Sequence, residues 1–185
     1  MNPYFPGLLA KNTIDSKNML IQKKAGHIDS FDSRGRITDW LSLEWHETNK
    51  RILRKRTRSG KEVALKFLDE NPSLTEGDIL YEDEQAIIAV TILPCETIVI
   101  KPVNMFEMAS VCYEIGNKHL PLFFEKDELL VPFEAPLFKL LEARGYEIKK
   151  EMRKLIQPVQ TTVTPHLHEQ TNSLFSRIMR ITTNE

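Results

Sequence analysis

The stretch "ETIVIKPVNMFEMASVCYEIGNKH", Glu96 to His119, carries a strand, a helix cap, a helix and its stop in one run. "ETIVIKP" is β-rich and bounded by Pro102, so it reads as a strand. Asn104 suits a helix N-cap, and Glu107 three residues on completes a capping-box arrangement. Met105, Met108, Ala109, Cys112 and Ile115 recur at helical spacing and predict the buried face, with Glu107, Ser110 and Glu114 elsewhere. Gly116 fits the left-handed position past the helix end. His119 then falls on an exposed corner, where the negative end of the helix dipole favours a cation.

Downstream, "LPLFFE" and "ELLVPFE" flank Lys126 and Asp127 as a hairpin. In "APLFKLLEARG", Pro136 suits a first helical turn, Leu137, Leu140 and Leu141 make an apolar face, and Gly145 stops the helix. "YEIKKEMRKLI" alternates as a last strand. The order β-α-β-β-α-β is the split βαβ arrangement of ferredoxin-like domains.

Upstream, strands dominate from Met19 to about Val90. "DWLSLEW" alternates, with Leu41, Leu43 and Trp45 on one face and Trp40, Ser42 and Glu44 on the other. "RILRKRT" and "EVALKFL" flank "RSGK" as a hairpin, with Gly60 supplying a positive φ. The turn Thr75 to Asp78 leads into "ILYEDEQAIIAV", two strands around Glu82 to Glu84. The expected class is therefore α+β. Residues 1–18 form an extension expected to be disordered, with Met19 as the usual start. A β domain covers 19–92, the ferredoxin-like βαββαβ domain 93–156, and a flexible Thr-, Gln- and Asn-rich tail 157–185.

Composition narrows the function. The chain has 185 residues, 41% hydrophobic and 28% charged, which is an ordinary globular composition. Lys plus Arg, 25, nearly balances Asp plus Glu, 26, so no global basic field gathers nucleic acid or anionic membrane. Two cysteines, Cys95 and Cys112, are too few for a disulfide framework or a zinc ribbon. The short apolar patch Gly7 to Ala10 fails as a signal peptide, and a cytoplasmic protein is expected.

The candidate sites are few. The basic run Asn49 to Lys61 reads better as a solvated hairpin than as a phosphate-binding ribbon, because no aromatic platform interleaves it. His27 and His46 lack a second ligand at metal spacing. Cys112 reads as a small core residue with no base beside it. No glycine loop cradles phosphate. His119 binds a metal weakly alone, but a two-fold dimer places the same residue from both chains at the axis. His166 and His168, one residue apart in "TPHLHEQ", point to the same side of an extended segment and can face one ion. Imidazole sites suit nickel, copper and zinc.

"YEIGNKH", Tyr113 to His119, resembles the G-N-[RK]-H signature of the urease accessory protein UreE, the nickel metallochaperone family. "LEWHETNKRILRKRTRSGKEVAL", Leu43 to Leu65, is similar to that family's L-x-W…T…G hairpin. "LTEGDIL", Leu74 to Leu80, is similar to its L-x-x-GD-x-L turn. The resemblance runs in order from about Met19 to Leu155.

The resemblance implies an N-terminal β domain similar to a peptide-binding domain of Hsp40 co-chaperones. It implies a C-terminal domain that forms a homodimer and binds metal. His119 would be the interfacial Ni²⁺ ligand from each protomer, with His166 and His168 completing the site and Zn²⁺ or Cu²⁺ as competitors. Its partners would be the GTPase UreG and the apo-urease complex, without nucleic acid or membrane. Only two tail histidines are present, so nickel storage is not expected. Glu114 stands where some members carry another histidine. Two other classes compete: a peptide- or protein-binding module with no nickel role, and an enzyme on the ferredoxin-like scaffold, for which no acid–base pair is visible.

Overall fold

The computed structural model describes residues 13–15, 18–31, 35–68 and 71–159, with side chains from Met19 onward. Among the described residues it is mixed α+β, mostly sheet with two α-helices. Two compact units divide it. One holds the described residues up to Thr97 with Lys150–Ile156, the other Ile98–Lys149 with those from Gln157.

The first unit is built from β1 (Thr13–Asp15), β2 (Asn18–Ile21), β3 (Gly26–His27), β4 (Ile37–Leu43), β5 (Ile52–Arg56), β6 (Glu62–Lys66), β7 (Asp78–Glu82) and β8 (Ala86–Ile92). They form two sheets, ordered β1-β2-β6-β5 and β3-β7-β8-β4. Alternation decides which face is covered. Leu41 and Leu43 of β4, Val63 and Leu65 of β6, and Ile88 and Val90 of β8 all join one buried core. The β5–β6 hairpin forms around Gly60, whose φ of 91° supplies the expected turn.

Glu76 fastens this unit. Its carboxylate accepts from the Ile92 N–H at 2.7 Å, the Thr91 hydroxyl at 3.0 Å and the Lys154 ammonium at 2.9 Å. Burial would raise its pKa, but these donors outweigh burial and hold it below the ordinary range.

Within "MLIQKKAGHI", Met19 to Ile28, the structure has the short strands β2, which begins at Asn18, and β3. Thr13–Asp15, within the leading extension, pairs antiparallel with β2. An open strand edge recruits whatever β-prone chain lies beside it.

The βαββαβ segment, residues 95–153, orders β9 (Cys95–Ile100), α1 (Met105–Asn117), β10 (Phe123–Glu125), β11 (Glu128–Pro132), α2 (Ala135–Ala143) and β12 (Ile148–Arg153), in a sheet ordered β10-β11-β9-β12. Its core joins Ile98 and Ile100 of β9 and Leu129 and Val131 of β11 to Val111, Ile115, Leu137 and Leu141 of the helices.

Two expectations for α1 need correction. Val111 and Ile115 are buried with Met108 and Cys112 packed beside them, whereas Met105 is 81% exposed and Ala109 is exposed. The apolar residues encircle more of the helix than one face can bury, and spacing alone does not choose among them. The helix also continues past Gly116 to Asn117, so Gly116 is helical and does not end it.

Candidate metal site

Asn104 caps α1 as expected: its side chain accepts from the Glu107 N–H at 2.9 Å. Glu107 reaches the Val103 N–H at 2.8 Å instead of the cap's own N–H. At the other end Lys118 is the last capping residue and His119 takes φ 54°, in the left-handed region. The His119 N–H donates to the Gly116 carbonyl at 3.0 Å, and the Leu120 N–H to the Ile115 carbonyl at 3.3 Å. That pair of bonds is a Schellman motif, and Leu120 packs in the same core as Ile115, its usual apolar companion.

The motif fixes the backbone beneath His119 while leaving its side chain in solvent. Among the described residues no partner is bonded to its ring, so both imidazole nitrogens are open to an incoming ion. Glu114 does not serve as a further ligand here. It pairs with Arg144 at 3.1 Å and Lys118 at 3.8 Å, tying α1 to the end of α2.

A solvent-facing apolar surface leads to this corner. Met105, Ala109 and Tyr113 lie at i, i+4 and i+8, with Phe106 beside them. Phe106 is 82% exposed and Tyr113 73%. Gly116 and Asn117 continue the exposed arc to His119. Exposed aromatic residues clustered on one helix face mark an interaction surface.

The start of the expected tail is ordered against the same loop. The Phe124 N–H donates to the Gln157 carbonyl at 3.1 Å, and the Val159 N–H to the Leu122 carbonyl at 2.8 Å. The chain therefore runs antiparallel to β10 and at Val159 has drawn level with Leu122, three residues after His119. His166 and His168 lie outside the described residues.

The remaining histidines and cysteines serve structure. The His27 ring accepts from the Asp29 N–H at Nδ1, 3.2 Å, and donates from Nε2 to the Glu76 carbonyl, 2.9 Å, closing the turn at Gly77. His46 packs edge-on to Trp45 with ring centroids 5.4 Å apart. Burial pushes the thiols of Cys95 and Cys112 above their ordinary pKa, so neither is a ready thiolate at neutral pH. No group of three His, Cys, Asp or Glu side chains converges among the described residues of one chain.

Sequence comparison decides the family. Residues 21–93 match the N-terminal domain of the UreE urease accessory protein, and residues 96–173 match its C-terminal domain. A urease accessory protein UreE of Flavobacterium johnsoniae is 49% identical over 163 residues, spanning 88% of this chain and 99% of that protein. The chain belongs to the UreE family. A Haemophilus influenzae UreE is 39% identical over 145 residues, 76% of this chain and 78% of its own. One from Acetivibrio thermocellus is 34% identical over 154 residues, covering 83% of this chain and all of its own length. The UreE C-terminal match extends to residue 173 and so includes His166 and His168 as well as His119. Among the described residues, no helix of this UreE-family chain is long and apolar enough to cross a membrane.

What the sequence reading missed is the conformation of His119. The signal was available in the spacing of Ile115 and Leu120, five apart, which is the apolar pair of a Schellman motif and places the left-handed residue at 119.

Proposed function

We propose that this protein is a cytoplasmic nickel metallochaperone of urease maturation. In this reading the βαββαβ unit is ferredoxin-like and pairs with a second copy through the exposed face of α1. The two His119 imidazoles meet one Ni²⁺ at the axis, and nickel is the cargo, not a resident cofactor. The observation that carries the reading is His119 itself: a solvent-facing imidazole held by a rigid helix end, beside an exposed apolar surface.

In this reading His166 and His168 complete the site. The path of Gln157–Val159 supports this, because it brings the chain beside the His119 loop. Six residues lie between Val159 and His166, and an extended chain over those seven steps spans up to about 25 Å. A site of neutral imidazoles open to solvent exchanges ligands more readily than a closed thiolate cage, which suits hand-over to UreG and apo-urease. Zn²⁺ and Cu²⁺ compete for such nitrogen donors, so supply and partner set selectivity.

The test is reconstitution of apo-urease with UreG and nickel-loaded protein, wild type against His119→Ala. Wild type is expected to raise urease activity in the presence of a weak chelator that removes free nickel, and the variant is not. Equal activation by both would remove His119 from the delivery step.

A further inference from the structure

Seven of the chain's 25 Lys and Arg fall between Asn49 and Lys61, with no carboxylate among them. The structure sorts these charges. Lys50 and Lys55 turn to Glu47, and Arg56 pairs with Glu62 across the hairpin. Arg51, Arg54 and Arg58 are exposed, and among the described residues their side chains have no hydrogen bond or ion pair.

The hairpin that carries them is fixed. Asp39 accepts from both the backbone N–H and the hydroxyl of Ser59, and the Arg58 N–H donates to the Trp40 carbonyl at 2.9 Å. Arg54 is therefore displayed from a strand and Arg58 from an anchored turn.

Among the described residues β5 is the last strand of its sheet. The Phe67 N–H bonds the Arg51 carbonyl at 2.8 Å, and the Thr57 N–H bonds the Lys61 carbonyl at 2.9 Å. In an antiparallel ladder the hydrogen-bonded positions alternate, so residues 51, 53, 55 and 57 face β6. The peptide groups of Ile52, Arg54 and Arg56 point to the open side. Their side chains share the outward face, where Ile52 is 67% exposed.

We propose that the open edge of β5 receives an acidic, extended segment of a partner protein as an added strand. Ladder bonds to Ile52, Arg54 and Arg56 supply the backbone pairing. Carboxylates at alternate positions, about 6.6–7 Å apart, meet Arg54 and the neighbouring cations, and an apolar residue covers Ile52. A nucleic acid fits less well, since this face offers no aromatic ring for stacking and a phosphate backbone cannot complete the ladder. The proposal does not depend on the metal reading. Charges on an edge strand also deter aggregation. A merely protective edge would show no preference for an acidic strand over a basic one.

The test uses the full chain, a short fluorescent peptide alternating Val and Glu, its Val–Lys counterpart, and the Val–Glu peptide N-methylated on one edge. Polarisation titrations at low ionic strength are expected to show binding of the acidic peptide alone, weakening with salt. Arg54→Glu/Arg58→Glu should weaken it about tenfold or more, while Lys139→Glu/Lys149→Glu, with the same change in net charge, leaves it unchanged. N-methylation should weaken it about fivefold or more, because it blocks the ladder. Equal binding of acidic and basic peptides, indifference to Arg54 and Arg58, indifference to N-methylation, or tighter binding of a short oligothymidylate would each overturn the proposal. Circular dichroism confirms that both double variants are folded.

Discussion

His119 stands at the end of α1 where Gly145 stands at the end of α2. Gly145 has φ 79° and His119 φ 54°. The Gly145 N–H donates to the Glu142 carbonyl at 2.9 Å and the Tyr146 N–H to the Leu141 carbonyl at 3.2 Å, the same two bonds that close α1. One motif ends both helices, and glycine is its usual left-handed residue. A histidine there costs stability, which is what a residue kept for its side chain is expected to do.

His119→Gly should therefore be more stable than wild type when metal is chelated. Removing the Cβ that a left-handed backbone crowds relieves about 1–2 kcal/mol. Glycine gives back roughly 0.5–1 kcal/mol in chain entropy, so a net gain of about 0.5–1 kcal/mol is expected. Urea unfolding with a chelator present measures it. His119→Ala should show no such gain, and both variants should lose nickel binding.

The corrected packing of α1 separates Ile115 from Met105, two apolar residues at opposite ends of the helix. Ile115 is fully buried, and Ile115→Ala should cost about 2–5 kcal/mol. Met105 is 81% exposed, and Met105→Ala should change monomer stability by less than about 0.5 kcal/mol. Denaturant titration of both variants distinguishes this helix orientation from one rotated to bury Met105.

Phe106→Glu probes the exposed helix face. With 82% of the side chain already in solvent, the monomer fold should tolerate the change. Two copies meeting on this face would bring the added carboxylates into an apolar contact, so sedimentation should show the dimer weakened by at least about tenfold. An unchanged dimer would move the interface elsewhere.

Acid should unfold the β unit through Glu47 and Glu76. Burial alone would raise the Glu47 pKa, but the Lys55 ammonium and the Glu44 N–H outweigh it and hold it below its ordinary 4.5. A carboxyl depressed in the folded state contributes stability in full above its unfolded pKa. That contribution is lost as pH falls below about 4.5 toward the depressed folded value. Glu47→Gln should be less stable than wild type at pH 7, with the difference shrinking below about pH 4. Thermal unfolding across pH 3 to 7 follows it.

Much of the architecture was legible because turn chemistry and periodicity agreed. Gly60 marked the β5–β6 hairpin, Pro136 and Gly145 bounded α2, and Leu41 and Leu43 showed which face of β4 is covered. The end of α1 was less legible, because Gly116, Asn117 and His119 all tolerate a left-handed backbone, and only the Ile115–Leu120 pair selects among them. The apolar face of α1 was ambiguous because Met105, Phe106 and Tyr113 are as hydrophobic as the residues that are buried. The docking of Gln157–Val159 on β10 had no local signal, since two backbone bonds hold it and no sequence pattern announces them.

The central claim is that His119 anchors one nickel between two chains. Calorimetric Ni²⁺ titration with native mass measured alongside, on wild type and His119→Gly, tests it most directly. The account predicts one tight nickel per two wild-type chains and its loss in a variant that remains folded and dimeric. A His166→Ala/His168→Ala variant should keep the dimer and part of the affinity. Undiminished tight binding by His119→Gly would contradict the claim and place the metal chemistry elsewhere in the chain.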